Sequence, residues 1–452
     1  MATGLASLEP GNLLAALPDG AVVPMPDDLR RRALTALAGA PAGPGAATPP
    51  PVEEIAVALR AAGAHALVYL LPPGAGRTGE AVLVTADGRV ELQPLTLVRA
   101  GALTALGAYR DAHRARQATL TLPGRHPERR AARHRWRAAL AELCDWAGIA
   151  VLRPLLRHPA LRTDGPPPRL VLVPFGEFGR VPWHAGLLSS GLRDGSRPVR
   201  AAERAVLSYA ASARQFCQTA ARERLPLDLR PVIVGDPARN LPGAEIEAEY
   251  LYADHYPHGT LLGYVLGAEG PGTPAEVLAA LPARGRPGAS VLHLACHARP
   301  LGRSPLEAHL ELAPAGGPDS GRLPVADILR QAQGRPPSAP GGLVVLDACV
   351  SDHSDDDLDE ALTLSTAFLA AGATGVIGSR WEVQDDQVGL LMYVLHGRLR
   401  RGEPPAEALR ATQLWALDPD RRLPDGTPDE LADAADGLDA LEAWAAFGYQ
   451  GS

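Results

Sequence analysis

VLHLACHAR at 291–299 and LVVLDACVS at 343–351 decide how this chain is read. Both runs are short, apolar and β-branched. Gly/Pro-rich segments bound them, and a helical pattern around 324–332 lies between them, so the pattern predicts buried parallel strands over 290–296 and 343–348. Ligands of open parallel sheets sit beyond the carboxyl ends of the strands. The first run ends on His297 and the second on Cys349, which predicts an imidazole and a thiol at matching strand ends. Cysteine is a strong nucleophile only as the thiolate. An imidazole that takes its proton, with backbone N–H groups for a tetrahedral oxyanion, completes a minimal acyl-transfer site.

Composition narrows the remaining classes. The chain has 452 residues, long enough for two or three domains with buried cores. Gly (47) and Pro (44) make up about a fifth of it, below the level of general disorder. It contains no lysine, so all 44 basic residues are arginine. That excludes a P-loop lysine, a Schiff-base lysine and a Ser/Lys dyad. The Lys-free, Ala/Arg/Pro/Gly-rich composition points to a GC-rich bacterial genome. A net charge of −7 gives no electrostatic case for nucleic acid. The locally basic RHPERRAARHRWR (125–137) is followed at helical spacing by apolar positions that continue Trp136 through Leu140 and Leu143. Its arginines are therefore expected on the wet face of an amphipathic helix.

The four cysteines, Cys144, Cys217, Cys296 and Cys349, are scattered and suit a reducing cytoplasm. The first twenty residues carry Glu9 and no basic segment, so no signal peptide is expected. The longest apolar stretch, 361–378, is split by glycines into a helix and a strand, so no membrane span is expected.

Along the chain, 39–52 is expected as a Pro/Gly/Ala linker, followed by a helix (53–63) and strands near 65–71, 81–85 and 89–94. Helices near 97–115 and 127–157 lead to a sharp strand at 169–176. From 231 onward strands and helices alternate, with the last helix near 438–446. Alternation of this kind predicts an α/β fold with a mostly parallel sheet. No repeat array is present. The segments 334–342 and 424–439 are expected as exposed loops.

Further motifs carry a family resemblance. LVPFGEFGRVPWHAGLL (172–188), SYAASAR (208–214), VGDPARNLPGAEIEAEYL (234–251), HLACHA (293–298), VVLDACVS (344–351), AFLAAGATGVIGSRWEVQD (367–385), EALRATQLW (407–415) and AWAAFGYQG (443–451) stand in this order. In that order they resemble CHAT-domain proteins, caspase-like cysteine peptidases of the group that also holds separases, metacaspases and caspases. The resemblance implies a caspase-like α/β sandwich, with a mostly parallel central sheet flanked by helices, at 206–452. A degenerate N-terminal α/β region at 1–205 precedes it. It further implies that His297 and Cys349 are a catalytic dyad working through an acyl-enzyme. The backbone N–H groups of Cys349 and Ala298 would be the oxyanion donors. The position of Ala298 is commonly Gly in this group.

Asp347 lies two residues before Cys349 on the same strand face, where metacaspases carry an acidic residue in the pocket for a basic side chain. A carboxylate at the base of a pocket favours bidentate binding of arginine, so the resemblance implies cleavage after Arg, with Lys tolerated. The plain alternative is a strand-end Asp that caps a loop. Trp381, Glu382, Asp385 and Asp386 follow the next strand end and are expected to face the same cleft.

The acidic run Asp352, Asp355, Asp356, Asp357, Asp359 and Glu360 suits a solvated loop before a helix N-terminus. A calcium site or a substrate-selecting rim are its functional alternatives. Strand alternation turns Cys296 away from His297, as a small buried hydrophobe, and His293 is expected to be structural. It also argues against a zinc set of Cys296, His297, Cys349 and His353, since no C-x-x-C pair exists. No metal or cofactor is therefore expected. Glu245, Glu247 and Glu249 occupy alternate helix positions and are expected as surface charges.

Three functions compete. The first is a cysteine endopeptidase with a protein substrate and a regulatory partner protein. The second is a catalytically silent, caspase-like interaction module, and the third is a small-ligand binder at the strand ends.

Overall fold

The two opening runs are adjacent strands at the heart of one large sheet. The computed structural model describes residues 50–74, 76–190, 197–283, 285–299, 308–317, 320–332, 339–348, 363–383 and 385–452, with the side chains of 102, 332, 385 and 386 excepted. Within these the strands of the N-terminal region are β1 (Ala66–Leu71), β2 (Gly79–Thr85), β3 (Val90–Leu95), β4 (Arg169–Pro174), β5 (Leu187–Ser189) and β6 (Val199–Arg200). Those that follow are β7 (Val206–Tyr209), β8 (Pro231–Gly235), β9 (Thr260–Gly263), β10 (Val291–Ala295), β11 (His297–Arg299), β12 (His309–Glu311), β13 (Arg322–Pro324), β14 (Leu343–Asp347), β15 (Gly375–Ser379) and β16 (Phe447–Gly451).

Eleven of them form one sheet in the order β3, β2, β1, β4, β7, β16, β15, β14, β10, β8, β9. Neighbours run parallel except β3 with β2, β2 with β1, and β15 with β16. β11, β12 and β13 make a small antiparallel sheet, and β5 and β6 a two-stranded ribbon. The central strands are covered on both faces, which is why β10 is buried along its whole length, His293 included, and β14 over Leu343–Leu346, with no alternation of apolar and polar residues.

Helices supply the two outer layers. We number the longer ones α1 (Val52–Ala62), α2 (Thr104–Gln117), α3 (Pro127–Ala147), α4 (Ala213–Ala220), α5 (Pro242–Tyr250), α6 (Pro274–Ala279), α7 (Val325–Ala332), α8 (Leu364–Ala370), α9 (Asp385–Arg400) and α10 (Pro405–Leu417). Odd-numbered residues of β14, Leu343 and Val345, share a core with α2, α3, α9 and α10. Even-numbered ones, Val344 and Leu346, share a core with α6, α7 and α8 on the opposite face. α1 and α4 extend that second layer over β1, β2 and β4. Among the described residues no helix is long and apolar enough to cross a membrane.

Several elements differ from expectation. The helix expected near 97–115 begins only at Thr104. The one expected over 127–157 is helical from Pro127 to Leu156, but it passes through a π turn at Gly148–Leu152 between α-helix at Pro127–Ala147 and at Arg153–Leu156. A Cβ on Gly148 would lie 2.0 Å from the carbonyl oxygen of Leu187, so the turn is set by a close backbone approach. The helix expected near 438–446 is a single turn, Leu441–Trp444, and the chain then enters the sheet as β16. FGYQG has two glycines and no strand signal of its own; pairing with β15 and β7 makes it a strand. The amphipathic reading of α3 matches its packing, with Trp136, Leu140 and Leu143 at 1% exposure or less. One sheet runs through both expected regions, since β7 joins β4 on one side and β16 on the other.

Candidate active site

β10 and β14 run parallel in register, with Ala295 opposite Asp347. Beyond that pair the Cys296 N–H donates to the Asp347 carbonyl at 3.2 Å, closing the ladder. The chain then turns, and His297 begins β11, paired with Glu311 of β12. His297 is partly exposed, and among the described residues its imidazole has no hydrogen-bond partner. Ala298, opposite Leu310, turns its methyl into the core shared with α7 and is 5% exposed. Cys349 lies outside the described residues, as do His353 and the acidic run 352–360.

A small cleft, with a cavity volume of about 20 Å³, opens at the carboxyl ends of β10, β14 and β15. Cys296, Asp347, Ser379 and Trp381 line it from the sheet, and Leu241, Ala244, Val383 and Val388 from the surrounding chain. Asp347 is the one carboxylate on that lining among the described residues.

Each wall has a local cause. At the end of β8, Asp236 adopts φ 39°, a left-handed conformation that a short polar side chain tolerates. Its Oδ1 accepts the N–H groups of Asn240 and Leu241 at 2.7 and 3.0 Å, which turns the chain into α5 and aims Leu241 at the cleft. Gly235 lets α5 settle on the sheet, because a Cβ there would sit 2.3 Å from the Ala248 Cβ. Ser379 Oγ donates to the Ala348 carbonyl at 2.6 Å, tying the end of β15 to that of β14.

The expected pocket residues part company here. Asp347 and Trp381 share the cleft, Trp381 as a fixed wall: it is fully buried, donates from Nε1 to the Glu442 carbonyl at 2.8 Å, and meets Trp136 edge-on at 5.6 Å. Glu382 is not on the lining. Its carboxylate lies 3.3 Å from the Arg116 guanidinium, which also donates to its carbonyl at 3.0 Å. The side chains of Asp385 and Asp386 lie outside the described residues.

Cys296 is 2% exposed and packs in the α6–α8 core, yet it also reaches the cleft. His293 is fully buried. Glu247 corrects the reading of the three α5 glutamates as surface charges: it is 1% exposed. Leu241, Ala244 and Glu247 recur at a spacing of three, so they share the face of α5 that α9 and the sheet cover. Glu249 is exposed. Sequence reasoning missed Leu241, Ala244, Ser379 and Val388 as cleft residues; the one local signal was the Asp-Pro turn after β8.

The three-layer sandwich, with its cleft over the ends of the parallel strands, is the fold of caspase-like cysteine peptidases. The CHAT domain family model matches residues 137–452, and the chain belongs to that family. Separase in the Saccharomyces cerevisiae separase–securin complex is similar in fold. One crystal structure gives a TM-score of 0.52 at 11% identity, covering 88% of this chain and 31% of separase. Another gives 0.55 at 10%, covering 88% and 30%. This chain thus spans about a third of the length of those separase chains. A weaker likeness, TM-score 0.37 at 13% identity over 69% of this chain and 68% of the other, is to the complex of Porphyromonas gingivalis RgpB pro- and mature domains. No curated protein sequence matches the chain.

Proposed function

We propose that this chain is a cysteine endopeptidase that cleaves a protein substrate after Arg, with Lys tolerated, through His297 and Cys349. The observation that carries this reading is the matched register of Ala295 and Asp347 at the ends of β10 and β14. His297 and Cys349 each follow two residues later in the chain.

In the reaction the Cys349 thiol gives its proton to the His297 imidazole, and the sulfur bonds to the scissile carbonyl carbon. The backbone N–H groups of Ala298 and Cys349 donate to the oxyanion. The intermediate collapses as the C–N bond breaks, and the amine leaves with the proton held by His297. Water, deprotonated by the same imidazole, then attacks the thioester and the thiol is restored. The buried methyl of Ala298 supports this reading, because the residue that replaces Gly points into the core. Asp347 would take the guanidinium, while Leu241, Ala244, Val383 and Val388 pack against the side chain's apolar stem. In this reading the chain works in the cytoplasm, without nucleic acid or membrane, under a regulatory partner protein.

Hydrolysis of Arg-ended and Asp-ended fluorogenic peptides by wild type and Cys349→Ala tests the proposal. The expected result is turnover of the Arg-ended peptide by wild type alone; equal rates in both proteins would overturn it. A wild-type protein whose Cys349 escapes an Arg-directed covalent warhead while the protein still captures a specific partner would favour the silent interaction module.

A further inference from the structure

The carbonyl just before the proposed nucleophile is held by a side chain. Ser379 is the last residue of β15 and is 2% exposed. Its Oγ donates to the carbonyl of Ala348, a fully buried residue that stands immediately before Cys349, at 2.6 Å. The backbone ladder between β14 and β15 closes on Leu346 and Gly378. Beyond it the Arg380 N–H turns the other way, to the Ala446 carbonyl at 2.8 Å. The serine hydroxyl thus continues the ladder for one further carbonyl, and among the described residues it is the one donor to it. Ser379 is itself fixed from behind, because its backbone is in register with Phe447 of β16.

The direction of that carbonyl has a consequence. Carbonyls at the end of β14 alternate: the Asp347 carbonyl points to β10, where it accepts the Cys296 N–H at 3.2 Å, and the Ala348 carbonyl points to β15. In a trans peptide the carbonyl and the N–H that follows it share one plane and point in opposite directions. A carbonyl held toward β15 therefore turns the next N–H toward β10, the side on which His297 and Ala298 begin β11.

We propose that Ser379 is a positioning residue of the oxyanion site. The N–H it orients through the Ala348 carbonyl is that of Cys349, and the inference rests on the peptidase reading, in which this group and the Ala298 N–H bind the oxyanion. Removing the hydroxyl leaves a buried carbonyl without its donor, which is costly enough that the peptide rotates toward another partner. The N–H rotates with it. A displacement on the order of 1 Å at a catalytic group lowers the rate by as much as about a hundredfold.

The test compares full-length wild type, Ser379→Ala and Ser379→Thr in two reactions of one thiol. Hydrolysis of an Arg-ended peptide amide passes through an oxyanion. Alkylation by iodoacetamide does not: the Cys349 sulfur bonds to the methylene carbon and iodide leaves. Mass spectrometry assigns the alkylated cysteine; Cys144, Cys217 and Cys296 are buried. Ser379→Ala is expected to lower kcat about tenfold to a hundredfold, with KM and the rate and pH profile of alkylation unchanged. Ser379→Thr, which keeps the hydroxyl, is expected to restore kcat to within a few-fold of wild type. If wild type turns over the peptide and Ser379→Ala keeps its kcat, raises KM alone, or loses alkylation in step with hydrolysis, the proposal falls while the peptidase reading stands. An equal loss of kcat in both variants overturns it as well. A wild type that hydrolyses no Arg-ended peptide removes the peptidase reading, and the proposal with it. A crystal structure of wild type carrying an Arg-aldehyde as its hemithioacetal needs no variant to fold. The hemithioacetal oxygen is expected on the Cys349 N–H with the Ala348 carbonyl still on Ser379 Oγ, and a carbonyl turned away from Ser379 overturns the proposal.

Discussion

Acid should unfold this protein partly through His184, and the size of that effect follows from the structure. His184 is 3% exposed. Its Nε2 donates to the Ala445 carbonyl at 3.0 Å, and its Nδ1 lies 2.8 Å from the Tyr209 hydroxyl. The guanidinium of Arg380, which immediately precedes Trp381 of the cleft, lies 4.6 Å over the Tyr209 ring. Burial, helped by the Arg380 charge and opposed by the Ala445 carbonyl, lowers the imidazole pKa from 6.5 to about 3. Between those values the unfolded chain binds a proton that the folded chain refuses. The stability that His184 contributes is thus complete above pH 6.5 and is lost as pH falls toward 3. The loss amounts to about 2 kcal/mol by pH 5 and about 5 kcal/mol below pH 3. In His184→Gln the side-chain amide can still donate to Ala445 but cannot take a proton. Denaturant unfolding of both proteins at pH 8 and pH 5 should therefore show wild type losing about 2 kcal/mol more than the variant. His293 and His396 are present in both proteins, so their contribution cancels. An identical pH dependence in the two proteins would refute the reasoning, because it would mean that the folded protein accepts the proton at His184.

Two further outcomes concern the walls of the cleft. Trp381→Ala removes a fully buried ring packed on Trp136 and should cost about 3–5 kcal/mol in unfolding free energy; a loss under about 1 kcal/mol would show that the wall is not packed as described. Gly235→Ala sets a methyl 2.3 Å from the Ala248 Cβ, so α5 must shift, lowering stability by about 1–3 kcal/mol and displacing Leu241 and Ala244; an unchanged unfolding midpoint would refute the close approach.

Sequence alone determined the local features. The buried strands β10 and β14 and the buried face of α3 are legible because period and composition express burial one element at a time. The tertiary structure decided what depends on neighbours distant in the chain. FGYQG became a strand because β15 and β7 offered it unpaired edges. Glu382 turned to Arg116, 266 residues away, while Trp381 became the wall of the cleft. Glu247 reads as a surface charge on α5 until α9 and β10 close over it and bring His293 within 2.8 Å. Periodicity reports which face of an element is covered, whereas the identity of the covering group depends on packing that no single segment encodes.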